Sequence, residues 1–144
     1  MSVEIRYTLG EEILKKVREM DPQVLRGLEI GLKQGAFFLE ARIKRALSQS
    51  GRGGKVYKRG EKSHVASAPG QAPAVDSGRL LNSIRTDFKG INDVRIGSDV
   101  IYASFLEKGT SKMGSRPYLS RVINENPNAI EEIILKAIEK ELQK

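Results

Sequence analysis

The sequence contains no cysteine and no tryptophan, a single histidine, and aromatic residues at only 6%. Without cysteine there can be no disulfide, thiol nucleophile or thiolate metal site, so buried aliphatic side chains must supply the stability. His64 is the lone imidazole, and it lies in a basic, glycine-rich stretch that is poorly suited to holding a catalytic base within about 0.5 Å of a productive position. Metal binding would fall to carboxylates, yet Glu131, Glu132, Glu139 and Glu141 read as the solvated face of a helix. Long apolar runs are missing too, and none approaches the ~20 residues of a membrane span. The opening MSVEIRYTLG lacks the basic start and apolar block of a signal peptide, which predicts a cytoplasmic protein.

Catalytic motifs are equally scarce. The run GRGGK, Gly51 to Lys55, fails the phosphate-loop pattern. Gln49 stands at the first glycine position, Val56 replaces the hydroxyl residue, and a helix precedes the run where a strand is required. His64 and Asp76 can be joined on paper with a serine, but no strand-turn-helix elbow presents a nucleophile. These absences predict a binding or assembly protein, with no cofactor and no metal, in place of an enzyme.

The 144 residues, 39% hydrophobic and 30% charged, suit one soluble domain spanning 1–144. The formal charge is +7, and it is local. Between Arg42 and Lys62 lie Arg42, Lys44, Arg45, Arg52, Lys55, Lys58, Arg59 and Lys62 against Glu61 alone. Removing those eight cations from 25 and that one anion from 18 leaves 17 of each sign elsewhere. A local excess predicts an anionic partner or a steered contact at one place. Direct nucleic-acid binding through residues 42–64, with Tyr57 available for stacking, is the alternative reading. The low aromatic content and the lack of a recognised binding motif weigh against it as the primary role.

Periodicity lays out the elements. Val3, Ile5 and Tyr7 alternate as in a half-buried strand, and Ile13, Leu14, Val17 and Met20 predict a short helix from Glu11. Asp21-Pro22 reads as an N-cap followed by proline at the first helical position. Leu25, Leu28, Leu32, Ala36, Leu39, Ile43 and Leu47 then carry a long amphipathic helix to about Ser48. Gly27, Gly31 and Gly35 recur every four residues along it, each costing up to ~1 kcal/mol relative to alanine. Such a smooth stripe admits another backbone, either from the same subunit, which is the plainer reading, or from a neighbour.

Residues 49–75 show no helical period and predict a flexible basic arm, within which Lys55-Val56-Tyr57 and His64-Val65-Ala66 can pair as a weak hairpin about Gly60. Order resumes at Asp76, expected to cap a short helix bearing Leu80, Leu81 and Ile84. Arg85 to Lys89 and Asp93 to Gly97 flank Gly90-Ile91-Asn92 as a hairpin. Val100 to Lys108 fits a short helix ended by Gly109 at positive φ. Arg116, held extended before Pro117, is placed to pair with Glu107 across the loop. Asn126-Pro127 predicts the cap of a last helix with Ile130, Ile133, Ile134, Ala137, Ile138 and Leu142 on its buried side.

Several of these pieces form an ordered set. HVASAPGQAPAVDSGRLLNSI, then VRIGSDVIYASFLEKGT, then SRPYLSRVI and a C-terminal amphipathic helix, together about half the chain, resemble the minor tail-component family of long-tailed bacteriophages and prophages. Members are described as tail-completion or head-tail joining proteins. The matching positions are Pro69, Gly70 and Pro73; Asp76, Gly78, Leu80, Ser83 and Ile84; Val94 and Gly97; Tyr102, Ala103, Glu107, Gly109 and Thr110; and Arg116, Pro117, Tyr118 and Leu119. Ser77 stands where the family often has threonine, which keeps the hydroxyl. The resemblance implies an α+β fold, with a long N-terminal helix and a C-terminal helix packed on a small antiparallel sheet. It also implies a structural virion protein of the tail or neck, assembled in the host cytoplasm as a homo-oligomeric ring, commonly of six. Its implied partners are tail-tube or tail-terminator and neck or connector proteins, without cofactor or membrane and with any DNA contact secondary.

Overall fold

In the computed structural model, residues 3–7, 10–91 and 93–144 are described. Asn92 of the expected hairpin turn and part of the opening segment (residues 1, 2, 8 and 9) lie outside them. The order of elements is β1 (Val3–Tyr7), α1 (Glu11–Arg18), α2 (Pro22–Ser48), β2 (Val56–Arg59), β3 (Lys62–Val65) and α3 (Arg79–Ser83). There follow β4 (Arg85–Phe88), β5 (Val94–Ser98), α4 (Ala103–Lys108), α5 (Leu119–Glu125) and α6 (Pro127–Leu142). The expected α+β arrangement is present: α2 and α6 pack with a three-stranded antiparallel sheet of order β1-β5-β4. No helix among the described residues is long and apolar enough to cross a membrane.

Helix α2 starts where the sequence says it should, because the Asp21 carboxylate accepts the Gln23 N–H at 2.7 Å and Pro22 needs no donor there. Its second half buries Ala36, Leu39, Ile43 and Leu47 against Ile84, Ile96, Val100, Tyr118, Leu119 and Val122. Its first half is different. Leu25, Leu28 and Leu32 are only half-buried, while Gly27, Gly31 and Gly35 are buried. A Cβ on Gly27 would stand 2.5 Å from the Ile138 Cα, and one on Gly31 2.7 Å from the Ile134 Cα. The stripe is thus the seat of α6 in the same chain, which resolves the two alternatives left by the sequence.

Helix α6 departs from expectation at its end. Leu142 is half-exposed, and Glu141, expected on the solvated face, is 5% exposed. It contacts Arg26 of α2 at 3.7 Å and accepts from Lys144, whose hydrogen bond holds the Glu141 carboxyl below the usual range against the opposing effect of burial. Asn126 marks the start of α6 but does not cap it. Its amide donates back to the Val122 carbonyl at 2.6 Å, and its side-chain oxygen receives Arg42 at 3.4 Å.

In the sheet, Ile5 and Thr86 flank Ile96 on the side of the core, whereas Arg6 and Arg95 stand opposite one another on the other side. Like charges in register repel. Asp93 offsets this by accepting two bonds from each guanidinium, at 3.1 and 3.2 Å from Arg6 and 3.1 Å from Arg95. The Arg95 hydrogen bond, helped by Arg6, holds the Asp93 carboxyl below its ordinary value. At Gly97 strand β1 crosses so closely that an added Cβ would overlap the Val3 carbonyl oxygen and lie 2.6 Å from the Glu4 Cα. No larger residue fits there without moving β1.

Candidate functional site

The segment 49–75 contains more order than its composition predicts. Strands β2 and β3 pair in the register Val56↔Val65 to Arg59↔Lys62, and Gly54 and Ala66 continue the ladder through the Gly54 N–H to the Ala66 carbonyl at 2.8 Å. Beyond the hairpin the chain is tied down at several points. The Ser67 carbonyl accepts from Nε and one terminal nitrogen of Arg116 at 3.2 and 3.1 Å, and the Gly70 N–H donates to the Ser115 carbonyl at 2.9 Å. Arg121 reaches the Gly70 carbonyl, and the Ser50 hydroxyl donates to the Ala72 carbonyl. The expectation of an arm without structure is therefore corrected for this second half. Its order comes from bonds between residues 22 to 51 positions apart, which local periodicity does not record.

Two further expectations change. Asp76 does not cap α3, whose N-cap is Gly78 at φ 78°, and the nearest capping bond is the Arg79 N–H to the Ser77 hydroxyl at 3.4 Å. The Asp76 carboxylate instead accepts from Arg59 at 2.7 Å and stands 3.7 Å from Nδ1 of His64. Glu107 does not pair with Arg116 either. It accepts the backbone N–H groups of Tyr118, Leu119 and Ser120 at 2.9, 3.0 and 3.0 Å, together with the Ser120 hydroxyl. A carboxylate is drawn to the free N–H groups of a helix start more strongly than to a partly exposed guanidinium, because all those donors converge and the helix dipole adds to them. Arg116, released from Glu107, is the clamp on Ser67.

The remaining motif residues have structural work around this same region. Ser83 bonds the Leu80 carbonyl at 2.7 Å and the Ser98 hydroxyl at 2.6 Å, joining α3 to the end of β5, and Ile84 is 1% exposed in the core. Ala103 is fully buried and Tyr102 half-exposed. Gly109 ends α4 at φ 77°, as expected, and a side chain there would meet the Ser115 N–H and the Met113 carbonyl. The Thr110 N–H donates to the Met113 carbonyl at 2.8 Å, closing the loop that carries Gly114 onto Pro69. Pro117 and Tyr118 flank a second hollow, of about 390 Å³. The Tyr118 side chain is buried without a partner for its hydroxyl, and burial, with Glu107 and Tyr102 nearby, pushes its ionisation up.

These constraints create a groove of about 440 Å³. On one side stands the hairpin, which turns Tyr57, Arg59 and His64 inward, as period-two alternation requires of positions 57 and 59 on one strand and 64 opposite 57. The other side is formed by the stretch from Pro73 to Leu81 and by Tyr102, Leu106, Met113 and Arg116. Pro73, Asp76, Gly78, Leu80, Tyr102 and Arg116, drawn from three separate motifs, thus meet at one place. The sequence reading missed Ser67, Arg79 and the inward side of the hairpin. Alternation in the short strands was the available signal.

The basic window is not one patch of free cations. Arg42 lies 5.6 Å from the centre of the Phe38 ring besides reaching Asn126, Lys44 is paired with Glu40 at 2.7 Å, and Arg45 bonds Gln49 at 3.3 Å. Arg52, Lys55, Lys58 and Lys62 are exposed on the arm, and among the described residues none makes an ion pair. No group of three or more potential metal-ligating side chains occurs among the described residues. Comparisons with protein-family models, curated proteins and solved structures found no match to the chain.

The Arg59–Asp76 contact fastens the hairpin to the body, since no helix or main-sheet strand packs extensively on β2 or β3. Both partners are partly exposed, so Asp76→Ala is expected to change global stability by no more than ~1 kcal/mol. Trypsin cleavage after Lys55, Lys58 and Lys62, followed by mass spectrometry under native conditions, should nevertheless become several-fold faster. Unchanged cleavage rates would mean that Asp76 does not hold the hairpin.

Proposed function

We propose that the chain is a structural assembly protein of a phage or prophage tail, acting at the head-tail junction in a ring of identical copies. The observation that carries this reading is the meeting of the separated motif residues around one groove and its arm. Asp76 holds the hairpin, Arg116 and Gly70 dock the return segment, Gly109 turns the loop, and Glu107 fixes the helix behind it. Residues that resemble a family pattern here serve to position an arm, and none is arranged around a reacting centre. An arm carried on one side of a compact body also suits the head-to-tail contacts of a ring, in which unlike faces meet.

In this reading the protein belongs to the virion, at the tail or neck, and is assembled in the host cytoplasm with tail-tube, tail-terminator or connector proteins as neighbours. Light scattering over a wide concentration range should reveal a closed oligomer, with six copies expected from the sixfold symmetry of tails. Negative-stain microscopy of mixtures with purified tail tubes should then show density at one tube end. A strict monomer that never decorates a tube would sink the proposal. Steep loss of oligonucleotide binding with salt, alongside such a monomer, would favour the nucleic-acid alternative instead.

A further inference from the structure

The groove has two unlike walls. Its apolar wall comes from Leu81, Tyr102, Leu106 and Met113, facing the Tyr57, Arg59 and His64 side chains of the hairpin. Tyr57 and Tyr102 remain 51% and 39% exposed. Ser67 is 1% exposed, and its hydroxyl has no partner. Charge in the lining is one-sided, with Arg59, Arg79 and Arg116 against Asp76 alone. Asp76 is committed to Arg59, whereas Arg79 is exposed and makes no ion pair among the described residues.

The geometry points to a docking groove for an extended, acidic segment of a partner protein. Its apolar side chains rest on Tyr57, Tyr102 and Leu106, and its carboxylates face Arg79. Mostly apolar lining with a few convergent polar groups is the usual character of a pocket that orients a ligand. Among the described residues β2 and β3 pair only with each other, so a main chain laid along the hairpin meets no competing strand. An acidic occupant follows from Arg79 and Arg116, whose charges no carboxylate of the lining balances once Asp76 is taken by Arg59.

Nucleic acid is disfavoured because three cations of the basic window are already engaged on α2. The inference goes beyond the ring reading and does not depend on it.

The test uses the full chain, labelled and passed over an array of twelve-residue peptides in which apolar spacing is varied and the intervening residues are acidic, neutral or basic. Acidic members should be retained, and fluorescence anisotropy on the best of them should give binding weakened at least ten-fold by Arg79→Glu and several-fold by Tyr102→Ala. Lys140→Glu makes the same charge change on α6 and should leave binding as it was. Circular dichroism checks that each variant is folded. Four results overturn the proposal: no peptide retained above background, retention indifferent to acidic content, equal losses with Lys140→Glu, or a thymidine oligonucleotide bound more tightly than any peptide and unaffected by Tyr102→Ala. Self-association abolished by Arg79→Glu in the absence of peptide binding would assign the groove to a second copy and overturn it too.

Discussion

Replacing Gly31 by alanine is expected to destabilise the protein, although the same change in an open helix would stabilise it by about 1 kcal/mol. The new Cβ would lie 2.7 Å from the Ile134 Cα and 3.2 Å from both the Ala137 Cβ and the Ile134 carbonyl oxygen. Carbon atoms prefer about 3.5–4.0 Å, and a backbone Cα cannot swing aside as a flexible side chain can. Helix α6 must therefore retreat along much of its contact with α2, the most extensive contact between elements in the fold. Overpacking of this kind costs about 1–3 kcal/mol, enough to exceed the propensity gain. Gly27→Ala should behave alike, with the Ile138 Cα only 2.5 Å away. Gly35 provides the internal contrast. Its Cβ would meet the Ile130 methyl at 3.4 Å, an ordinary contact, so Gly35→Ala should be neutral or stabilise by up to about 1 kcal/mol. Urea unfolding of the three variants tests the opposite signs. Equal stabilisation at all three positions would show that α6 does not sit on the stripe.

The same stripe explains why some of the fold was readable in the sequence and some was not. Asp21-Pro22 and the apolar steps to Leu47 place α2 because capping and periodicity are local properties, and the strands flanking Gly90 follow for the same reason. Periodicity gives a face without naming what covers it. In α2 the glycine repeat announced a backbone contact, but not that α6 makes it, nor that the leucines beside the stripe would be only half-buried. Polar partners were less legible still. Asp76 has the right residue type for a cap, but Gly78 adopts the left-handed turn and leaves the aspartate to Arg59. The hairpin about Gly60 was legible from its short apolar pieces, but the return segment after it was not, because its anchors, such as Ser67 to Arg116, are single long-range bonds rather than a repeating pattern.

Removal of the Glu107 carboxylate is the other change expected to be severe. Helix α5 has only seven residues and no cap from its own N-cap residue, Tyr118. So short a helix gains little from propensity and relies on its packing and on satisfaction of its first N–H groups. Glu107 supplies that satisfaction from α4 with one carboxylate serving three N–H donors and a hydroxyl. Glu107→Ala strands those donors beside fully buried Tyr118 and Leu119, where water has poor access. Loss of hydrogen bonds to a charged acceptor and the cost of unpaired donors together predict about 2–4 kcal/mol of destabilisation. Glu107→Gln keeps one acceptor oxygen but brings an NH₂ toward N–H groups, so it should recover only part of that loss. Arg116→Ala separates the capping role from the ion pair first suggested by the sequence. If Glu107 served mainly Arg116, the two alanine variants would be about equally destabilised and the double variant would add nothing. Because they engage different partners, the double-variant cycle should instead show nearly additive losses, with Arg116→Ala mainly exposing residues 66–72 to proteolysis and Glu107→Ala lowering the urea midpoint.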